Sequence, residues 1–83
     1  MLRISQPAAP TDRPLLILEG RLVGPWVAEL SGAAATAGDP ATLDLDLAGV
    51  TFADDAGVTA LRHLRSAGAR LVRASAFLAA LLG

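Results

Sequence analysis

Hydrophobic and polar residues alternate strictly along residues 42–47, where Thr, Leu, Asp, Leu, Asp and Leu follow one another. Because the side chains of a strand point alternately to opposite faces, the three leucines fall on one face and Asp44 and Asp46 on the other. A strand covered on both faces would instead read as continuously apolar. The pattern therefore predicts a sheet with helices on one face and an open, wet face opposite.

The other elements follow from similar patterns. Branched apolar runs bounded by Gly or Pro are typical of strands, and apolar residues spaced three and four apart are typical of amphipathic helices. The predicted strands cover residues 2–4, 15–20, 42–47 and 70–74, and the predicted helices cover residues 25–37, 58–67 and 75–83, the last opening with Ser75 as a cap. Two prolines mark residues 6–12 as a loop. The order β-β-α-β-α-β-α predicts an α/β fold with a mixed sheet of about four strands and helices packed on one face.

Composition narrows the class of protein. With 83 residues, of which 53% are hydrophobic, residues 1–83 suffice for a single small domain. A net charge of −1 without a long basic run argues against nucleic-acid binding. The chain has no cysteine and one histidine, and it has no Gly-rich phosphate loop. We therefore expect no metal and no cofactor.

The hydropathy pattern also bears on location. No apolar segment approaches the ~20 residues needed to span a bilayer. The first seven residues have neither the charged start nor the apolar block of a signal peptide. These features predict a cytoplasmic protein without direct membrane insertion. Residues 77–82 are apolar nearly all round, and any part left uncovered would suit a homodimer or a partner.

Two adjacent carboxylates, Asp54 and Asp55, stand where a strand passes into a helix. The start of a helix exposes free backbone N–H groups that an aspartate can cap. Three interpretations stay open: at least one aspartate caps the helix, Asp55 holds a fixed negative charge at the positive end of the helix dipole, or the two form a catalytic pair. Adjacent residues diverge in direction at a helix start, and no nucleophile or histidine is near in sequence, which disfavours the catalytic pair.

Three segments of the chain resemble STAS domains, the domains of bacterial anti-sigma factor antagonists that also occur in sulfate transporters. They are Gly-Arg-Leu-Val-Gly-Pro-Trp at 20–26, Leu-Asp-Leu at 43–45, and Gly-Val-Thr-Phe-Ala-Asp-Asp-Ala-Gly-Val-Thr-Ala-Leu at 49–61. The resemblance covers about residues 15–82, and its most specific part is 50–61, where the family pattern is roughly Val-x-Phe-x-Asp-Ser-Ser-Gly-Leu. It implies a mixed sheet with helices on one face. Set against the family pattern, the sequence is expected to be short by a last strand and helix.

The resemblance also implies how such a protein is regulated. In antagonists of the family, an anti-sigma factor that is a serine kinase phosphorylates the second serine of the pattern, and the unphosphorylated form binds that factor. Residue by residue, Asp54 matches the family aspartate, Asp55 the first serine, Ala56 the phosphoacceptor serine and Gly57 the glycine. Ala56 has no hydroxyl, so phosphoryl transfer at this position is excluded. Thr59 is the other candidate acceptor nearby.

These observations together predict a non-enzymatic interaction domain of bacterial signalling and transcription regulation that docks a kinase-like anti-sigma factor. The residues expected to bind this partner are Asp54, Asp55, Ala56, Gly57, Thr59, Arg62 and His63. The alternative is a STAS subunit that binds the ATPase of a lipid-transporting ABC complex. Phosphotransfer through Thr59 and binding of a small ligand are further alternatives.

Overall fold

The computed structural model describes residues 2–6 and 14–83, so the predicted loop at 6–12 lies outside the described residues after Gln6. The elements are β1 (Leu2–Ser5), β2 (Leu15–Leu22), α1 (Gly24–Ala37), a 3₁₀ turn (Pro40–Thr42), β3 (Asp44–Ala53), α2 (Asp55–Ser66), β4 (Arg70–Val72) and α3 (Ala76–Leu82). The predicted order of strands and helices is confirmed.

The four strands form one mixed sheet in the order β1-β2-β3-β4. β1 pairs antiparallel with β2, whereas β2, β3 and β4 are parallel neighbours. The parallel strands succeed one another in a single direction across the sheet. Right-handed crossovers therefore place α1 and α2 on the same face, as the alternation in β3 predicts.

Leucines from the sheet and from all three helices make the core. The largest fully buried side chains are Leu16, Leu18, Leu22, Leu30, Leu43, Leu45, Leu47, Leu61 and Leu78. Fully burying one leucine side chain stabilises a fold by about 1.5–3 kcal/mol. Because nine leucines share one layer between the sheet and the helices, this layer fixes which helix faces turn outward.

The helix-free face departs from the sequence prediction at Asp46, which is buried at 5% exposure rather than wet. The Arg73 guanidinium covers it and donates two hydrogen bonds to its carboxylate. These bonds hold the pKa of Asp46 below its ordinary value of 3.8, against the opposing effect of burial. Arg73 adopts a left-handed backbone conformation at φ 57°, so β4 ends at Val72 and the predicted strand at 70–74 is too long.

Both central strands are longer than predicted. β2 continues past Gly20 to Leu22, and β3 continues from the alternating segment to Ala53, with shifts in register between the two strands. The extensions carry the ends of β2 and β3 to the same edge of the sheet, where Leu22 pairs with Ala53. Helices α1 and α2 consequently start side by side.

Candidate partner-binding site

Asp54 is the N-cap of α2. Its backbone is extended, at φ −85° and ψ −177°, and its Oδ1 accepts a hydrogen bond from the backbone N–H of Gly57 at 2.8 Å. An aspartate in this position satisfies one of the free N–H groups of the first helical turn. The capping interpretation is therefore confirmed for Asp54.

The second oxygen of Asp54 reaches the other helix. Oδ2 accepts a hydrogen bond from the backbone N–H of Gly24, the first residue of α1, at 2.8 Å. The residue that precedes α1 is Val23, whose apolar side chain has no acceptor atom to cap the helix. One carboxylate thus caps two helices. The bonds from Gly57 and Gly24 lower the pKa of Asp54 below 3.8, so it is ionised at neutral pH and poorly suited to proton transfer there.

Gly57 is buried because the start of α2 lies against the end of β2. A Cβ at this position would lie 2.9 Å from Cγ of Leu22 and closer still to the Leu22 carbonyl oxygen. The same carbonyl accepts a hydrogen bond from the backbone N–H of Asp54 at 3.2 Å. Close approach of two backbones therefore accounts for glycine here, and it makes Gly57 a packing residue that a partner cannot touch directly.

Four of the predicted docking residues share one exposed strip. Asp55, Ala56, Thr59 and His63 lie on successive turns of α2 and are exposed. They form one wall of a groove of about 750 Å³ between α1 and α2. We call these four residues the junction strip. The end of the strip in the first turn of α2 carries the carboxylate of Asp55, and the other three residues are not acidic.

The opposite wall of the groove comes from α1, which sequence reasoning did not connect with the site. Val27, Ser31, Ala34 and Ala35 face the junction strip across the groove. The sequence does contain a signal for this wall, because small residues spaced four apart on α1, such as Ser31 and Ala35, let another helix approach closely. The pattern alone does not say which helix they face.

Arg62 stands apart from the junction strip. Its Nε donates to the carbonyl oxygen of Leu82 at 3.0 Å, and one terminal nitrogen donates to the carbonyl of Leu81 at 2.9 Å. Arg65 also donates to the Leu82 carbonyl, at 3.1 Å. Cations at the C-terminal end of a helix donate hydrogen bonds to its last carbonyls and interact favourably with the negative end of its dipole. The structure thus places Arg62 as an anchor for α3, outside the groove.

The described residues form neither a candidate metal site nor a candidate membrane-spanning helix. Among residues 2–6 and 14–83, no group of three or more His, Cys, Asp or Glu side chains could hold a metal ion. None of the helices within these ranges is long and apolar enough to cross a membrane.

Comparisons with known proteins show the fold only. No protein-family model matches the chain, and no curated protein matches it. Among solved structures, the chain is similar to Mglu, with a TM-score of 0.59 and 23% sequence identity. The match covers 83% of this chain but only 18% of the Mglu chain. At this identity the likeness establishes a shared small α/β architecture with part of a much longer protein.

Proposed function

We propose that this chain is a non-enzymatic STAS-type interaction domain that docks a kinase-like anti-sigma factor through the junction strip. The observation that carries the proposal is the position of Ala56. It lies exposed in the first turn of α2, beside Asp55, where the resemblance puts the regulated serine. A residue at that position is accessible to a partner. Alanine there removes the phosphoacceptor hydroxyl but leaves the exposed docking surface in place.

The chemistry of the strip suits a basic partner surface with apolar side chains. Asp55 supplies a carboxylate, and Ala56 and Thr59 line the groove beside it. Charge at the rim of an interface mainly raises the association rate and selects the partner, whereas the apolar contacts contribute affinity. Reversing the charge of Asp55 should therefore weaken binding and alter its dependence on salt.

Regulation would differ from that of a phosphorylated antagonist. A phosphoserine carries about −1.5 to −2 charges at neutral pH and three acceptor oxygens, which exceeds the single charge of Asp55. Because Ala56 accepts no phosphoryl group, phosphorylation at the family position cannot change the charge of the strip. Such a protein would be controlled by its amount or by competition for the partner.

The test is a binding titration with a purified kinase-like anti-sigma factor from the same genome. Asp55→Lys and Ala56→Arg should each weaken binding at least tenfold. Glu29→Lys is the matched control, because it makes the same charge reversal on an exposed residue of α1 that lines a different cavity. Equal affinity for all four proteins would refute docking at the strip. Binding of an ABC ATPase in place of the anti-sigma factor would refute the identity of the partner.

A second experiment tests whether Ala56 occupies the position of the family's phosphoacceptor serine. Ala56→Ser restores the hydroxyl at the exposed position, and incubation with the kinase and ATP should add one phosphoryl group by mass spectrometry. The unmodified protein should gain none, which also tests Thr59 as an acceptor. Phosphorylation of the unmodified protein that is lost in Thr59→Val would overturn the proposal of an unswitched domain.

A further inference from the structure

We infer that Asp54 is a positioning residue that fixes the spacing of α1 and α2 and so determines the shape of the groove beside the junction strip. The link to docking rests on the proposed function, whereas the effect on helix spacing does not. The sequence motif alone gives Asp54 a local role at the start of α2. The structure adds a second contact, to Gly24, which lies 30 residues away in the chain.

The two hydrogen bonds that Asp54 accepts are equal in length but connect different parts of the structure. The bond to Gly57 is local and completes the first turn of α2, whereas the bond to Gly24 joins two helices, and both measure 2.8 Å. Each helix start carries a partial positive charge of about half an elementary charge, so a carboxylate between them attracts both. Within the described residues of its first turn, α1 has no acidic side chain of its own. The start of α1 therefore depends on Asp54 for its anionic cap.

The bond between Asp54 and Gly24 lies close to one end of the groove, so it can set the distance between the two walls. The two helices start beside each other and run alongside, since each follows a parallel strand of the sheet. Ser31 on α1 and Thr59 on α2 line opposite walls only a few residues beyond the carboxylate. Without the bond to Gly24, the helix starts would be free to separate while the leucine core still holds the helices on the sheet.

Two substitutions separate the roles of Asp54. Asparagine and serine cap helices about as well as aspartate, so Asp54→Asn and Asp54→Ser both retain the cap of α2. With its oxygen on Gly57, asparagine turns an NH₂ group toward the N–H of Gly24, and serine is too short to reach it. Both variants should fold and should lose only the bond to α1.

The experiment measures the distance between nitroxide labels on Ser31→Cys and Thr59→Cys by pulsed electron resonance. The chain has no native cysteine, so the two labels are unique. Asp54→Asn and Asp54→Ser should shift or broaden the distance distribution, and the Gly24 amide should exchange its hydrogen roughly tenfold faster as a charge-assisted bond is lost. Ser75→Ala is the control, because it removes the cap of α3 and leaves Asp54 untouched. A distribution and a Gly24 exchange rate unchanged from the parent protein would overturn the inference.

Binding of the purified anti-sigma factor separates this inference from the proposed function. Asp54→Ser, without labels, should lose affinity several-fold, whereas Ser75→Ala should retain it. If Asp55→Lys binds the anti-sigma factor as tightly as the parent protein does, the docking proposal fails. The label distances then still decide whether Asp54 sets the spacing of the helices. If Asp55→Lys weakens binding but Asp54→Ser does not, helix spacing does not determine docking and that part of the inference is wrong.

Discussion

Replacing Gly57 with alanine tests the packing of the candidate site against the ordinary helix preference of alanine. Alanine in the interior of a helix is favoured over glycine by about 1 kcal/mol, so propensity alone predicts a gain in stability. The structure predicts a loss. The added methyl would lie 2.9 Å from Cγ of Leu22, half an ångström inside the 3.4 Å at which ordinary contact begins, and closer still to the Leu22 carbonyl oxygen.

The clash should outweigh the gain because the atom in the way belongs to the backbone of β2. Overpacking typically costs 1–3 kcal/mol, and a carbonyl held in a central strand cannot rotate aside as a side chain would. Because the contact is with backbone, the upper part of that range applies, about 2–3 kcal/mol. Subtracting about 1 kcal/mol of helix preference leaves an expected loss of about 1–2 kcal/mol of unfolding free energy for Gly57→Ala. For a domain of this size each kcal/mol corresponds to a melting temperature lower by about 4–8 °C.

Urea titration followed by Trp26 fluorescence and far-ultraviolet circular dichroism gives the unfolding free energy. The matched control is Gly32→Ala in the middle of α1. Apart from adjacent residues and the backbone of the helix itself, no atom of the described residues lies within 4 Å of the added Cβ there. This control should gain about 1 kcal/mol. A Gly57→Ala protein as stable as the parent, or stabilised like the control, would refute the close approach of α2 to β2.

Three further predictions use the same stability assay. Leu45→Ala should cost about 2–5 kcal/mol, because it removes a fully buried side chain from the centre of the core; a smaller loss would mean that the leucine layer is not tightly packed. Ser75→Ala should cost about 1 kcal/mol, since its hydroxyl caps α3 through the N–H of Leu78 at 3.1 Å, and an unchanged urea midpoint would contradict this. The pKa values of Asp46 and Asp54 are lowered in the folded protein, so their stabilisation is complete above the ordinary pKa of 3.8 and is lost as the pH falls below it. Stability should therefore decline below about pH 4, and the decline should be smaller in a variant with asparagine at both positions; an equal decline would assign the acid sensitivity to other groups.

Local patterns in the sequence predict most of the fold. The alternation in β3 assigns its faces correctly, and the aspartate before α2 and Ser75 before α3 are both caps, as expected from their places next to apolar helical repeats. Such features depend on residues within one turn or one strand. The prediction that helices pack on one face follows from the same local information, because only one face of β3 is apolar.

The parts that sequence reasoning missed depend on contacts between distant residues. Alternation places Asp46 on the helix-free face, but it cannot say that Arg73, 27 residues later, folds over it. The helical pattern places Arg62 outside the core, but not against the last carbonyls of α3. A capping motif identifies the bond from Gly57 to Asp54, whereas the bond from Gly24 requires that the ends of β2 and β3 meet.

The cap that Asp54 provides to α1 has a consequence for how the chain acquires its structure. Helix α1 leaves the ribosome well before the carboxylate that completes its first turn, because Gly24 precedes Asp54 by 30 residues. Until β3 has paired with β2, the carboxylate of Asp54 cannot reach Gly24, and the Gly24 N–H must be solvated by water instead. A nascent chain or fragment that stops before residue 54 should therefore show a frayed α1 by circular dichroism, and the two helix starts should become ordered together in one cooperative step.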